Sequence, residues 1–231
     1  MRNMEILFED NHIIVTVKPQ NMPSQGDESG DQSLLDAVKE YIGQKYNKPG
    51  NVYIGLVHRL DRPTGGVMVF ARTSKAASRL GAQIKDGDFE KKYFAVVSGM
   101  PKEKRGTLVN YLVKNEATNM VSVTGAAVLG AKRAELTYNI VEQGEKYSLA
   151  SIQLLTGRGH QARVQMQYLG NPIYGDARYG GSPGKNLALW AYELRFRHPI
   201  TDTAMTFRAA PPVSEVPWSE FKNIEHIINT L

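Results

Sequence analysis

The sequence predicts an α+β fold with a mixed, largely antiparallel sheet flanked by helices. Strand-like apolar runs outnumber helical ones along the chain. The regular strand–helix alternation that builds a parallel sheet is missing. Glu142-Gln143-Gly144-Glu145 reads as a tight hairpin turn between two long strand segments.

The elements follow in order. Glu5-Ile6-Leu7-Phe8-Glu9-Asp10 and His12-Ile13-Ile14-Val15-Thr16-Val17 predict two short strands joined at Asp10-Asn11. Lys18-Pro19 closes the second, and a polar loop runs from Pro23 to Asp31. Ser33-Leu34-Leu35-Asp36 opens a helix with a capping-box pattern, Asp36 standing where Glu is commoner. Leu34, Leu35, Val38, Tyr41 and Ile42 form its apolar stripe, and Asn47-Lys48-Pro49-Gly50 stops it. Val67-Met68-Val69-Phe70 reads as an apolar strand. A second helix is expected from Thr73 to about Asp86, with Leu80 and Ile84 facing inward. Arg72, Lys75 and Arg79 on this segment are suited either to an RNA groove or to a solvated face. Further strands are expected at Lys91 to Ser98, Ala134 to Val141, Lys146 to Leu155, Leu187 to Phe196 and Thr203 to Ala209. Trp218, Phe221, Ile224, Ile227 and Ile228 predict one C-terminal helix. With no repeat and no linker composition, residues 1–231 are expected to form a single domain.

Composition narrows the function classes. A chain of 231 residues, 42% hydrophobic and 22% charged, can bury a sizeable core and is ordinary for a globular protein. No run has the length and apolarity of a bilayer span. Met1-Arg2-Asn3-Met4-Glu5 leads directly into strand-like sequence without a signal-peptide pattern, so a cytoplasmic protein is expected. The absence of cysteine excludes disulfides, thiolate nucleophiles and cysteine-bearing zinc sites. His12, His58, His160, His198 and His226 show no metal-ligand spacing, and no metal is expected. A net charge of +5 is compatible with a polyanionic partner.

Two segments carry chemistry. Val57-His58-Arg59-Leu60-Asp61-Arg62-Pro63-Thr64-Gly65-Gly66 places one carboxylate beside two guanidiniums, in a turn opening onto the apolar strand. Such a carboxylate can be held ionised by the cations and aimed at a substrate; taken alone, the pattern equally fits a surface Asp–Arg pair. Thr156-Gly157-Arg158-Gly159-His160-Gln161-Ala162-Arg163-Val164-Gln165-Met166 follows a strand and begins a helix. Helix-start N–H groups with Arg158 and Arg163 attract an anion. This second segment also satisfies G-x-G-x-x-A, with Asp176 nineteen residues after Gly157, which keeps a dinucleotide-binding oxidoreductase among the readings. Against it, the helix runs into Asn171-Pro172-Ile173-Tyr174-Gly175-Asp176, where no apolar strand follows. Gly180-Gly181-Ser182-Pro183-Gly184 matches G-x-S-x-G, but lacks the preceding strand of a nucleophile elbow and reads as a loop.

Taken together, these segments resemble the RluA family of pseudouridine synthases. His58-Arg59-Leu60-Asp61 with the Thr-Gly-Gly turn resembles the family's catalytic motif, and Lys92-Tyr93-Phe94-Ala95-Val96 its middle one. Thr156-Gly157-Arg158, His160-Gln161, Arg163-Val164 and Leu169-Gly170-Asn171-Pro172-Ile173-Tyr174-Gly175-Asp176 to Tyr179-Gly180 resemble its C-terminal motif. The three stand in the family's order, and the likeness runs from about Leu7 to Phe207. Gly159, Ala162 and Gln165 stand where the family usually shows Thr, a larger aliphatic residue and His, and Arg62-Pro63 replaces Lys-Asp. The short N-terminus leaves no room for the separate S4 RNA-binding domain of many members.

The resemblance implies isomerisation of uridine in RNA, with no cofactor. The N1–C1′ bond breaks, the uracil turns, and C5 joins C1′. Asp61 takes the role of the catalytic carboxylate, attacking C1′ or removing a sugar proton. Arg163 corresponds to the basic residue that pairs with it, and Tyr93 to the tyrosine that stacks on uracil within reach of the C5 proton. Arg59 corresponds to the residue that fills the space left by the extruded base. His58 braces the turn, Arg62 joins the substrate-contacting set, and Arg158 and His160 contact phosphate or brace their loop. The expected partner is a tRNA or rRNA stem-loop, bound by a monomer away from membranes. An RNA-binding module of the same fold without catalysis is the alternative reading.

Overall fold

The computed structural model describes residues 4–47 and 49–230. Met1-Arg2-Asn3 of the expected lead and Lys48 of the expected helix stop lie outside the described residues. The first elements are β1 (Ile6–Glu9), β2 (Ile13–Lys18), α1 (Leu34–Lys45), β3 (Gly55–Leu56), β4 (Gly65–Ala71), α2 (Ser74–Asp86) and β5 (Glu90–Ser98). Then come β6 (Arg105–Asn115), β7 (Met120–Thr124), β8 (Lys132–Gln143), β9 (Tyr147–Leu154) and α3 (Gln161–Tyr168). β10 (Leu189–Arg197), β11 (Ala204–Arg208), a 3-10 turn (Trp218–Glu220) and α4 (Ile224–Thr230) complete the described chain. The elements form two compact units: residues up to Glu90 with Ala191–Ala209, and Lys91–Trp190 with the stretch from Ala210 onward.

In the first unit β1 pairs antiparallel with β2, β2 with β4, and β11 with β10, while β4 neighbours β10 and β3 adds to β4. The continuous apolar run of β4 is explained by burial of all seven residues, as for a strand covered on both faces. Gly66, the second residue of this strand, has φ 124°, and a Cβ there would collide with the Ala191 backbone, so only glycine fits. Ile13, Val15, Val67 and Val69 pack against Ala76 and Leu80 of α2, with Phe89 and Phe196 closing the core. Ile84 only flanks this cluster, half-buried.

The predicted capping box of α1 is present: the Ser33 side chain accepts from the Asp36 N–H and the Asp36 carboxylate from the Ser33 N–H. Leu34, Val38 and Ile42 are buried, while Leu35 and Tyr41 are half-buried. Arg72 lines no groove. Its side chain is 6% exposed, pairs with Glu9 at 3.0 Å and stacks on Tyr46. Tyr41, Tyr46 and Lys45 donate to the same carboxylate. Desolvation pushes Glu9 up, but these hydrogen bonds outweigh it and hold the carboxyl below its ordinary value.

The second unit is an antiparallel meander in the order β5-β9-β8-β6-β7. The β8–β9 hairpin turns at Gly144, whose N–H donates to Tyr147 O. The β6–β7 hairpin has no counterpart in the strand expectations: Asn110 divides the apolar residues of β6 into Leu108-Val109 and Tyr111-Leu112-Val113, and of its residues Leu112 alone is buried. Leu112 of β6, Val121 of β7 and Ala134 of β8 cluster with Val164 and Tyr179. The single C-terminal helix expected from Trp218 to Ile228 is instead two pieces. Trp218, Phe221 and Ile224 are spaced by three, which suits the 3-10 turn more than an α-helix, and Phe221 takes extended backbone between them.

Candidate active site

Asp61 sits half-buried in a turn of the first unit whose backbone is held on both sides. The Ser24 hydroxyl donates to Leu60 O at 2.8 Å and accepts from Leu60 N–H at 3.1 Å. Asp61 O accepts from Thr64 N–H at 2.9 Å. Lys18 Nζ donates to Arg62 O at 3.0 Å, and Gln20 Nε2 to Pro63 O at 3.2 Å. Lys18 is fully buried at the end of β2, and its ammonium also reaches Pro19 O and Met22 O at 3.1 and 2.5 Å. One buried cation therefore ties the loop after β2 to the residue following Asp61. Burial lowers the Lys18 pKa to about 7, against the upward pull of the Asp61 charge.

The neighbouring residues divide in role. His58 Nε2 accepts from the Val69 N–H at 3.1 Å and its ring packs edge-on against Phe89, so it braces the turn against β4. Arg59 is exposed. Arg62 points into the polar loop, pairing with Asp31 at 2.7 Å and Asp27 at 3.1 Å and bonding Ser29. That loop read only as a connection in the sequence.

In the second unit Arg163 is 6% exposed. Its Nε donates to Asp176 Oδ2 at 2.8 Å and its Nη2 to Asp176 Oδ1 at 2.7 Å. Asp176 also accepts from the N–H groups of Arg178 and Tyr179, so its burial is fully compensated. The Tyr179 ring lies under the Arg163 guanidinium, and its hydroxyl accepts from Val121 N–H and bonds His160 Nδ1 at 2.7 Å. His160 thereby braces the start of α3 from a left-handed backbone position. Tyr93 is buried in β5 opposite Ile152. Arg158 is exposed, and its Nε donates to Arg133 O.

Gln161, present in the C-terminal motif without an assigned role, is a structural residue. Its Oε1 accepts from the Arg158 N–H and the Thr156 hydroxyl, and its Nε2 donates to Glu135 O. One N–H that reads from sequence as open to an anion is thus already taken. Gln165, one of the family departures, is fully buried and ties α3 to β6 through Leu108 O and Asn110. The dinucleotide alternative fails on geometry. Asp176 lies in a turn, engaged by Arg163, and no strand follows α3 before β10. Among the described residues no cluster of His, Asp or Glu has metal-binding geometry, and no helix is long and apolar enough to cross a membrane.

Comparison with known proteins agrees with these motifs. The family model described as RNA pseudouridylate synthase matches residues 12–168. Ribosomal large subunit pseudouridine synthase C of Vibrio parahaemolyticus is 32% identical over 88% of this chain. The chain spans 64% of that relative's length. tRNA pseudouridine synthase C of Vibrio cholerae is 29% identical over 94% of this chain and 97% of its own. The solved structure of human RNA pseudouridylate synthase domain containing 1 matches with a TM-score of 0.76 at 21% identity, covering 99% of this chain and 94% of the human one. Fold, motifs and family match define an RNA pseudouridine synthase domain. The chain belongs to the RluA-type RNA pseudouridine synthase family.

Proposed function

We propose that this protein converts uridine to pseudouridine in a tRNA or rRNA stem-loop, with Asp61 as the catalytic carboxylate. The carrying observation is the Asp61 turn, fixed through Leu60, Arg62 and Pro63, with Asp61 itself half-buried. A carboxylate presented on a rigid turn suits attack on, or proton removal from, an electron-poor sugar. By the family resemblance Tyr93 has the role of stacking on uracil and serving the C5 proton, Arg163 that of a positive charge in the reaction, and Arg59 that of replacing the extruded base. His58, Arg62, Arg158 and His160 support substrate binding, His58 and His160 by fixing their segments. The reaction exchanges no electrons and no groups with a second substrate, so it proceeds without a cofactor. The protein acts as a cytoplasmic monomer and one catalytic domain. Relatives named for ribosomal and for transfer RNA support both substrate classes. The test treats total RNA from cells lacking this gene with the protein, then maps carbodiimide-dependent stops in primer extension. New stops at discrete uridines support the proposal; none in either RNA class refutes it.

A further inference from the structure

The loop joining β7 to β8 exposes an apolar tip that the fold does not use. Ala126, Ala127, Val128 and Leu129 are all exposed, and Leu129 is 97% accessible. The tip is shaped by two successive turns, Val128 N–H to Gly125 O at 3.2 Å and Ala131 N–H to Val128 O at 3.0 Å. Its leucine is therefore held outward instead of folding onto the adjacent sheet. The loop from Gly125 to Ala131 carries no charge, and Lys132 and Arg133 follow it directly. From Met100 to Glu135 the sequence holds six cations, Lys102, Lys104, Arg105, Lys114, Lys132 and Arg133, against three acids, Glu103, Glu116 and Glu135, of which Glu116 pairs with Lys114 and Glu135 with Arg133.

We propose that this loop is an RNA contact in which Leu129 enters between unstacked bases while Lys132 and Arg133 meet the flanking phosphates. The inference rests on the RNA-modifying function and adds to it a contact outside the three motifs. Size and charge choose the occupant. A stable protein interface needs roughly 800 Å² per partner, far more than one valine and one leucine supply. An apolar wedge between bases needs a single side chain, with cations to hold the backbone around it. Arg133 is half-exposed and already bonded to Glu135 at 2.6 Å, which leaves its position set before RNA arrives.

The test uses Leu129→Trp and Leu129→Ala in the full chain, on a tip whose side chain supports no core. Trp190 and Trp218 are buried, so the exposed indole of the Leu129→Trp variant reports the tip. Quenching by total tRNA or rRNA but not by heparin, with a roughly tenfold rise in KM and little change in kcat for Leu129→Ala, supports the contact. Fluorescence unmoved by RNA, quenching equal with heparin, an unchanged KM, or a dimer lost on Leu129→Ala overturns it. If the native protein forms no pseudouridine in any RNA, the functional reading falls, and the fluorescence still decides whether the tip meets RNA.

Discussion

Arg163 and Asp176 form a two-point ion pair, Nε to Oδ2 at 2.8 Å and Nη2 to Oδ1 at 2.7 Å, with the carboxylate wholly buried. Thirteen residues separate them, the length of α3 and the turn beyond it. The pair fixes the one arginine in this helix to which the family resemblance gives a place in the reaction. Asp176 is therefore a positioning residue, and the fold gives it two further N–H donors for the purpose.

Asp176→Ala removes a buried carboxylate from a guanidinium that is itself buried. The expected loss is about 3–5 kcal/mol in urea unfolding, with catalysis falling alongside. Asp176→Glu, retaining charge but displacing it, is expected to keep more stability than activity.

Lys18 predicts an alkaline signature. Its folded pKa of about 7 lies below the ordinary 10.5. Between those values the unfolded chain binds a proton that the folded chain does not, so raising the pH favours folding. Lys18→Met should flatten the rise of stability across that window, measured as the difference in urea midpoints between variant and native protein. Because Lys18 also holds Arg62 O, kcat should fall as well.

Glu9 predicts the acid side. Its carboxyl is held below 4.5 in the folded state, so its contribution is complete above 4.5 and disappears as the pH drops through the lowered value. Glu9→Gln should cost about 2 kcal/mol at neutral pH, less than a fully buried pair because Arg72 retains Asp10 O. The variant should also lose less stability between pH 5 and about pH 3.

Ser24→Ala breaks both hydrogen bonds to Leu60. About 1–2 kcal/mol of stability and roughly tenfold in kcat should be lost, with RNA affinity nearly unchanged, since Ser24 is buried beneath the turn.

The Asp61 turn was legible because its residues are contiguous and its glycine has a single steric reason. The clamp beneath it was not, since Ser24 acts on Leu60 from 36 positions away and Lys18 on Arg62 from 44. Asp176 was visible as part of the C-terminal motif, but its partner Arg163 was not, because spacing along the chain does not reveal which side chain a turn returns to. The capping box of α1 is local and could be read directly, whereas β6 is harder to read, because Asn110 divides Leu108-Val109 from Tyr111-Leu112-Val113 and most of its positions are exposed or half-buried.

The central claim is tested most directly by tritium release from RNA labelled at uracil C5, comparing native protein with Asp61→Asn. Release by the native protein alone, with RNA binding retained in the variant, is the predicted result. Equal release by both, or none by the native protein on either tRNA or rRNA, would contradict the assignment of Asp61 and of uridine isomerisation respectively.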